Sequence, residues 1–349
     1  MNQFNTVWLP LLYNCNNKCR WCYAPSEKIV SSDKILNDKK EKDFVGLISD
    51  LGVKKVIFIG GEPSIYPNLE RVIGRVYEKG ISPAIVTNGR KFSDKNFIKK
   101  LMDAGLRSAT ISIEGSNSEI HDYTTQVKGS FYQAIQGLEN ALELGLPLST
   151  ETTMSKDNKD DLENMVEFLE NYDLSHRLFN ICGPCLSDLT NSNYILTLSE
   201  GSKLFEKVYK KAKKKNLRLV TPVPICNFDQ DIYKEMVNNK AISHGCHLLF
   251  GFNFVLDPNG DILPCVHFSN FPIFNVYENG KIIKTEEFLE RYNNPDNTNQ
   301  LFRNELKRYP SEKCLEGECW NPCTGGCSIF WLRDNPKVEI KGIKLTQNA

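Results

Sequence analysis

The chain has 349 residues, 40% hydrophobic and 25% charged, so it is long enough for about two domains with buried cores. Its 43 basic side chains equal its 43 acidic ones, so no net field draws it to nucleic acid or to an anionic membrane. No apolar run approaches the roughly 18 residues of a membrane span, and the N-terminus lacks the pattern of a signal peptide. These features predict a cytoplasmic protein that binds neither nucleic acid nor membrane.

Strands and helices alternate from Thr6 onward. The predicted strands are TVWLPLL, VKKVIFIGG, PAIVTNG, SATISIEG, PLSTETTM and RLFNICG. The predicted helices between them lie near Phe44–Leu51, Leu69–Glu78, Asn96–Ala104, Phe131–Leu144 and Leu162–Leu169. Six β-then-α units call for parallel strands with right-handed crossovers. The predicted fold class is therefore α/β, a partial (β/α)6 TIM-like barrel over residues 1–188, with ligands at the carboxyl ends of its strands.

The pattern changes after Asp188. A lysine-rich helix and a proline-broken strand predict a linking segment over residues 189–225, and the lysine run is interpreted as a solvated helix face. From residue 226 to 349, turns, aromatic residues and cysteines replace the βα alternation. We therefore expect a second, cysteine-rich domain at the C-terminal end.

The twelve cysteines of the chain gather mainly in two regions. Disulfides are rare in a reducing compartment, so clustered thiols indicate metal binding or redox chemistry. One group stands alone near the N-terminus and comprises Cys15, Cys19 and Cys22. The other lies in the last third and comprises Cys246, Cys265, Cys314, Cys319, Cys323 and Cys327. Two separate metal regions are predicted.

The front group, CNNKCRWC, directly follows the first predicted strand and so lies at the rim of the barrel. Its steps of four and three residues span at most about 14 and 11 Å, so the loop can curl around one inorganic cluster. A [4Fe–4S] cube takes four ligands, usually thiolates, so three cysteines leave one iron open. Structural zinc, which normally takes four closed ligands, and chance clustering of buried cysteines are the alternatives.

This loop resembles that of the radical S-adenosylmethionine (SAM) enzymes, which carry an aromatic residue before the third cysteine, here Trp21. The resemblance implies that the open iron binds the amino and carboxylate groups of SAM. The second predicted strand ends in Gly60, Gly61, Glu62 and Pro63, where the family places its GGEP motif. Paired glycines let the backbone approach a ligand closely, and Glu62 can accept from an ammonium group, although a simple turn also explains the glycines.

Less specific matches to the same family lie at or after the ends of the later predicted strands. Asn88, in TNG, is implied to line the methionine end of SAM, and Ser112 and Glu114, in SIEG, sit where the family offers side chains to the ribose hydroxyls. Gln126 stands where an arginine is frequent in the family. Asn158 begins the helix after the fifth strand, either as a family feature or as an N-terminal cap.

The rear cysteines resemble the SPASM extension of radical SAM enzymes, which houses auxiliary [4Fe–4S] clusters. Cys246, Gly260 and Cys265 have its spacing, but Cys319 lies two residues beyond the usual place and the family's last cysteine is absent. Two cubes need eight thiolates and this region offers six, so one or two auxiliary clusters are predicted. The sources considered for a further ligand are Cys226 and the CGPC cysteines, Cys182 and Cys185. A thioredoxin-like exchange site and two core cysteines are the other interpretations of CGPC.

The resemblance implies reductive cleavage of SAM to a 5′-deoxyadenosyl radical that removes hydrogen from a substrate, with electrons from an external donor such as flavodoxin or ferredoxin. Peptides and proteins are the commonest substrates of SPASM-like enzymes, so we expect a peptide maturase that forms a crosslink, epimerises or oxidises. Only fourteen residues precede Cys15, so leader recognition would come from the core or another chain. A small-molecule dehydrogenase or cofactor-biosynthesis enzyme is the first alternative. A non-catalytic electron carrier is the second, and it has no use for an open iron.

Overall fold

The computed structural model describes residues 4–22, 35–183, 193–212, 216–221, 223–244, 251–268 and 272–297, with a few single positions beyond, among them 323, 325–327 and 329–330. Within this part of the chain, eleven strands form one sheet and two form a separate hairpin. The sheet strands are β1 Thr6–Pro10, β2 Lys55–Ile59, β3 Ser82–Thr87, β4 Ser108–Ser112, β5 Leu148–Met154, β6 His176–Ile181, β7 Leu217–Val220, β8 Ile242–Ser243, β9 Asn253–Leu256, β10 Asp261–Leu263 and β11 Phe274–Asn275. The hairpin strands are β12 Tyr277–Glu278 and β13 Lys281–Ile282.

The described helices mostly connect consecutive strands. They are α1 Asp38–Asp50, α2 Leu69–Glu78, α3 Lys95–Asp103, α4 Ser118–Thr125, α5 Ser130–Glu143, α6 Leu162–Glu170, α7 Leu198–Lys211, α8 Gln230–Asn238 and α9 Thr285–Asn293. Side-chain caps fix several N-termini: Asn37, Asp94 and Asn117 accept from backbone N–H groups in the first turns of α1, α3 and α4. These caps satisfy donors that a helix start otherwise leaves without partners.

The first six strands pair in chain order, each parallel to the next. The helices between them supply the crossovers that parallel pairing requires. The predicted α/β fold with a parallel, barrel-like sheet is confirmed. The same sheet continues through β7 and β8, also parallel, so α7 and β7 of the segment expected to link two domains extend the βα alternation. The domain boundaries at 188 and 226 stay a prediction.

The C-terminal part of the chain returns to the first strand. β9 pairs parallel with β1 on the side away from β2, and β10 turns back antiparallel to β9. The side chain of Asn253 also accepts a hydrogen bond from the backbone N–H of Thr6 at 3.2 Å. β1 is therefore an interior strand with neighbours on both sides, and the predicted DPNG turn containing Gly260 connects β9 to β10.

Alternating burial along the strands separates two faces of the sheet. In β5 every second side chain is buried, and Ser149, Glu151 and Thr153 between them lie together on the other, less buried face. On the outside, the fully buried carboxylate of Glu41 in α1 accepts from Arg71 of α2 at 2.7 and 3.0 Å. The ion pair joins α1 to α2, and the less buried face of β5 carries polar side chains. None of the described helices combines the length and apolar character needed to cross a membrane.

Candidate active site

The cysteine loop leaves the end of β1 and lies directly on the end of β2. The backbone N–H of Gly61 donates to the carbonyl of Leu12 at 2.9 Å, and that of Glu62 donates to the carbonyl of Asn14 at 2.9 Å. These bonds continue the parallel pairing of β1 with β2 past the last strand residues. The loop therefore starts from a fixed position, one residue before Cys15.

Gly60 and Gly61 are glycines because the loop leaves no space for a side chain. A Cβ atom on Gly60 would overlap the carbonyl of Leu12, and one on Gly61 would overlap the carbonyls of Tyr13 and Asn14. Gly60 also has φ of +137°, which L side chains rarely adopt. The expected close approach of this GG pair to a ligand stays a prediction, and the structure shows instead that the glycines make room for the cysteine loop.

The TNG segment after β3 holds the other side of the loop. The side chain of Asn88 donates to Asn16 Oδ1 at 2.7 Å and points at the sulfur of Cys15, 3.9 Å away. Arg90 Nη1 donates to the carbonyl of Asn16 and, at 3.1 Å, to Asn17 Oδ1. Asn88 was expected to line the methionine end of SAM; its side chain here positions the loop beside Cys15. Arg90 was missed, although it follows TNG directly in the sequence.

The C-terminal end of α4 completes the support. The backbone N–H of Lys18 donates to the carbonyl of Thr125 at 2.9 Å, and that of Arg20 donates to the carbonyl of Thr124 at 3.2 Å. The Arg20 guanidinium donates to Asp157 Oδ1 at 2.7 Å and to the Tyr123 hydroxyl at 2.6 Å. The loop is therefore bonded to the ends of β2 and β3, to α4 and to the segment after β5.

Cys15, Cys19 and Cys22 lie close enough for their charges to interact. Burial raises the pKa of the Cys19 thiol, and the negative charges of Glu114, Cys22 and Cys15 raise it further. Iron binding must therefore supply the free energy that keeps these sulfurs ionised together. In the described part of the chain, no three Cys, His, Asp or Glu side chains converge on a single metal ion. A four-iron cube instead takes each thiolate on a different iron, so three neighbouring thiols on one curled loop fit it.

Glu62 is almost fully buried and its oxygens accept from the protein. Oε1 accepts from the Thr87 hydroxyl at 2.6 Å and from the backbone N–H of Ser64 at 2.9 Å, and Oε2 accepts from the backbone N–H of Asn88 at 2.7 Å. Burial raises the pKa of this carboxyl, and the three hydrogen bonds oppose that shift. The expected contact of Glu62 with SAM stays a prediction. What the structure shows is a carboxyl that joins the ends of β2 and β3.

Glu114 lies just beyond β4 and is 2% exposed. Its Oε2 accepts from the backbone N–H of Thr153 at 2.9 Å, its own N–H donates to Nδ1 of His121 at 3.1 Å, and burial holds its pKa well above the usual value. Asn158 donates to the carbonyls of Glu114 and Thr153 at 3.1 and 3.0 Å. Asn158 lies before α6, whose N-cap is Asp161, so the helix-cap interpretation of Asn158 is wrong. The side chain of Asn158 instead connects the ends of β4 and β5 by donating a hydrogen bond to each.

The other expected SAM contacts lie around the same rim. Trp21 packs against the core, and its buried indole Nε1 has no hydrogen-bond partner among the described residues. Pro63 is buried at the start of the short turn after β2. Ser112 ends β4 directly opposite Glu151 of β5. Sequence reasoning missed Glu151, whose pKa is raised by burial and whose carboxyl bonds the Asn180 side chain.

The structure describes part of the rear cysteine set. The sulfur of Cys323 accepts from the backbone N–H of Ile225 at 3.3 Å, and Ile225 directly precedes Cys226 in the chain. Cys265 and Cys327 are partly buried, and Cys182 is 3% exposed within the hydrophobic core. The remaining predicted or considered ligands lie outside the described residues: Cys185, Cys246, Cys314 and Cys319.

One contact joins the rear region to the front loop. The hydroxyl of Tyr13, two residues before Cys15, donates to Asp257 Oδ2 at 3.5 Å, and burial raises the pKa of both groups. Asp257 follows β9, so the pairing of β9 with β1 brings it to the same rim. Two residues 244 positions apart in the chain could not be related from sequence spacing.

A parallel α/β sheet whose first strand ends in a three-thiol loop, seated on a Gly-Gly-Glu-Pro turn, defines a class of iron–sulfur proteins that bind SAM. Residues 9–169 match the sequence profile of the Radical SAM superfamily. The chain therefore carries a radical SAM domain, and the resemblance first seen in the cysteine loop is confirmed.

Curated relatives match this domain. Fe-coproporphyrin III synthase of Methanosarcina barkeri is 31% identical over 164 residues, which cover 47% of this chain and 40% of that protein. GTP 3′,8-cyclase of Campylobacter curvus is 30% identical over 164 residues, which cover 44% of this chain and 48% of that protein. The chain thus spans less than half the length of each of these relatives.

A solved structure shares the fold over nearly the whole chain. SuiB of Streptococcus suis, bound to its precursor peptide SuiA, superimposes with a TM-score of 0.70 and 18% identity. The match covers 94% of this chain and 72% of SuiB. SuiB has also been solved with S-adenosylmethionine. At this identity the likeness establishes a common fold.

Proposed function

We propose that the chain is a radical SAM enzyme that cleaves SAM reductively and removes a hydrogen atom from a peptide or protein. A crosslink or an oxidation then needs one more proton and one more electron to leave the substrate, and a proposed auxiliary cluster would accept that electron. An epimerisation instead needs one hydrogen atom to be returned to the substrate. The observation that carries the proposal is the loop of Cys15, Cys19 and Cys22 seated on the GGEP turn. One electron added to SAM yields methionine and a 5′-deoxyadenosyl radical, which takes hydrogen from the substrate and leaves as 5′-deoxyadenosine. A [4Fe–4S] cluster held by the three thiolates would supply that electron.

Residues around the cysteine loop hold it in position. Asn88 and Arg90 hold the loop segment next to Cys15, and the bonds of α4 to the backbone of Lys18 and Arg20 hold the segment around Cys19. Several residues of the cysteine loop and of the carboxyl ends of the strands are proposed to contact SAM: Trp21, Gly60, Gly61, Glu62, Pro63, Asn88, Ser112 and Glu114. Groups fixed before the reaction lose no free energy to reorganisation when it occurs.

A peptide substrate is supported by the fold likeness to SuiB, which was crystallised with a precursor peptide. The irregular rear cysteine set supports one or two auxiliary [4Fe–4S] clusters in a SPASM-like domain. Its proposed ligands are Cys226, Cys246, Cys265, Cys314, Cys319, Cys323 and Cys327. We propose a cytoplasmic location, since a reducing compartment keeps clustered thiols available for metal binding.

A small-molecule reaction is the second candidate. The curated relatives that match the radical SAM domain are named for GTP cyclisation and for synthesis of an iron porphyrin. Both candidates share the SAM cleavage step and differ in the molecule that loses hydrogen.

The shared step is tested first. The anaerobically reconstituted protein, reduced with dithionite, should convert SAM to 5′-deoxyadenosine, and replacing Cys15, Cys19 and Cys22 with alanine should abolish the conversion, because no thiolate then remains to hold the front cluster. Chromatography of the nucleoside products measures it. The rear iron of the triple variant should persist and serves as the control for folding. A triple variant that forms 5′-deoxyadenosine at the parent rate would refute the assignment.

The substrate class is tested next by isotope transfer. Deuterium from a labelled candidate peptide should appear in 5′-deoxyadenosine. The peptide should lose two hydrogens in mass for a crosslink or an oxidation, and should keep its mass but change the configuration of one residue for an epimerisation. Labelled GTP serves as the small-molecule probe. Transfer from GTP with every peptide unchanged would replace the peptide proposal by the second candidate.

A further inference from the structure

The chain is neutral overall, but its cations are not evenly placed around the front cysteine loop. Lys18 and Arg20 lie within the loop itself, Arg90 is bonded to it, and Lys128 lies in the turn between α4 and α5. Backbone bonds from the loop to the end of α4 connect these positions. We call Lys18, Arg20, Arg90 and Lys128, together with Tyr123, the cationic rim.

The positive charge of the cationic rim is only partly compensated. Lys18 and Lys128 are exposed and form no ion pair with any described residue. The guanidinium of Arg90 donates to neutral oxygens, the carbonyl of Asn16 and the side chains of Asn17 and Gln133. Three full charges therefore face solvent or neutral partners.

The two acidic side chains bonded to these segments are turned towards internal donors. Asp157 pairs with Arg20 and its side chain is 10% exposed. Asp122 accepts from the backbone N–H groups of Gly129 and Phe131 at 2.6 and 2.8 Å, and these bonds help hold its pKa below the usual value. The outer side of the loop keeps an excess of positive charge beside the ring of Tyr123, which is 53% exposed.

We infer that the cationic rim is the docking surface for an acidic one-electron carrier protein of the flavodoxin or ferredoxin class. The inference rests on the proposed function, which needs one electron per SAM. In the transfer the reduced carrier loses one electron and the front cluster gains one, and no covalent bond changes in either protein. Lys18 and Arg20 stand between the cysteine ligands, so a partner that contacts them lies next to the cluster.

Charge complementarity sets how the contact should behave. Attraction between surface charges speeds protein association by roughly 10- to 1,000-fold and weakens steeply as salt rises. The screening length is about 8 Å at physiological ionic strength, so a charge patch acts on a partner that is already near it. Electron delivery by an acidic carrier should therefore depend on salt, whereas delivery by a small reductant should depend much less on these side chains.

The test uses a single charge reversal outside the cysteine loop and a matched control. Lys128→Glu reverses one exposed rim charge, and Lys203→Glu makes the same charge change on the exposed side of α7. Each reconstituted variant is mixed anaerobically with flavodoxin hydroquinone, and bleaching of the cluster absorbance gives the reduction rate. Binding of oxidised flavodoxin is measured by calorimetry.

The rim variant should be reduced by flavodoxin at least about threefold more slowly than the parent at low salt, should bind it correspondingly more weakly, and should depend less steeply on salt than the parent. The control variant should match the parent. Dithionite should reduce all three proteins and drive equal 5′-deoxyadenosine formation, and iron content should be equal. Equal rates of reduction by flavodoxin in the rim and control variants would refute the proposed docking surface. A parent protein that does not cleave SAM with dithionite would instead refute the proposed function.

Discussion

Gly60 and Gly61 occupy the place where the cysteine loop crosses the end of β2 without room for a side chain. The sequence predicted a close backbone approach at this pair, because glycine lacks the Cβ atom that prevents one. It could not show that the approaching segment is residues 12–14, since that contact joins positions almost fifty residues apart. The same limit applies to Glu62, whose internal partners Thr87 and Asn88 come from the next strand.

Replacing Gly61 with alanine should displace the cysteine loop, because the added methyl group would occupy the position of the Tyr13 and Asn14 carbonyls. We expect a loss of about 1–3 kcal/mol in the free energy of unfolding and a marked loss of front-cluster iron. Urea denaturation and iron analysis measure the two effects.

Gly46→Ala is the matched control, since a Cβ atom there meets nothing within 4 Å inside α1. An alanine in a helix interior is about 0.5–1 kcal/mol more favourable than a glycine, so this variant should be slightly more stable and keep its iron. A Gly61→Ala protein with parent stability and full iron content would contradict the packing described for the loop.

At the scale of elements, local pattern predicted the six strands and five of the helices in the first 181 residues, but it missed α4 and the first six residues of α1. α2 begins and ends where the apolar spacing predicts, and α5 is displaced by one residue at each end. Local pattern predicts these bounds because the spacing of apolar side chains and the identity of capping residues depend on neighbours only a few positions away. The pairing of β9 with β1 depends on contacts between residues about 247 positions apart in the sequence. The local spacing of apolar residues does not indicate such a pairing. Asn158 illustrates the same point, since its partners lie on two strand ends.

The junction of β4 with α4 contains a buried histidine that makes the stability of the protein depend on pH. His121 is 1% exposed, its Nδ1 accepts from the backbone N–H of Glu114, and burial lowers its pKa to about 4. Unfolded histidine has a pKa of about 6.5, so the unfolded chain takes up the proton first as the pH falls. The contribution of neutral His121 is therefore complete above pH 6.5 and is lost progressively between about pH 6.5 and pH 4.

Replacing His121 with asparagine, which keeps an acceptor near the position of Nδ1, should remove this dependence. Between pH 7.5 and pH 5 the parent should lose about 2 kcal/mol more unfolding free energy than the variant, and urea denaturation at both values measures the difference. The other histidines are the same in both proteins, so their contributions cancel. Parallel pH profiles for parent and variant would show that His121 is not the group that titrates.

At the scale of the whole molecule, the structure relates two of the rear cysteines that lie far apart in the sequence. The sulfur of Cys323 lies at the backbone N–H of Ile225, one residue from Cys226, although 97 residues separate the two cysteines. The sequence offered Cys226 as one of several sources for an additional ligand. Its place next to Cys323 favours a single auxiliary cluster that takes both sulfurs.

If both cysteines bind one cluster, the iron lost on replacing each of them should not add up in the double variant. Cys226→Ser and Cys323→Ser should each remove the same iron, and the double variant should lose no more than either single one, as measured by iron analysis of anaerobic preparations. Combining Cys226→Ser with the triple alanine variant at Cys15, Cys19 and Cys22 should lower iron additively, which serves as the control. A double variant that loses twice the iron of the singles would place the two sulfurs on different clusters.

The pairing of β1 with both β2 and β9 has a consequence for the order in which the molecule is made. The strand that carries the front cysteine loop is synthesised long before its second neighbour β9, which leaves the ribosome only after residue 256 has been added. Contacts that join distant parts of a chain form late, because the long intervening loop must first be closed. Until then one edge of β1 has open hydrogen-bonding groups and Tyr13 has no Asp257 to bond. We accordingly expect the front loop to take up its iron cluster only after β9 has been synthesised and has paired with β1.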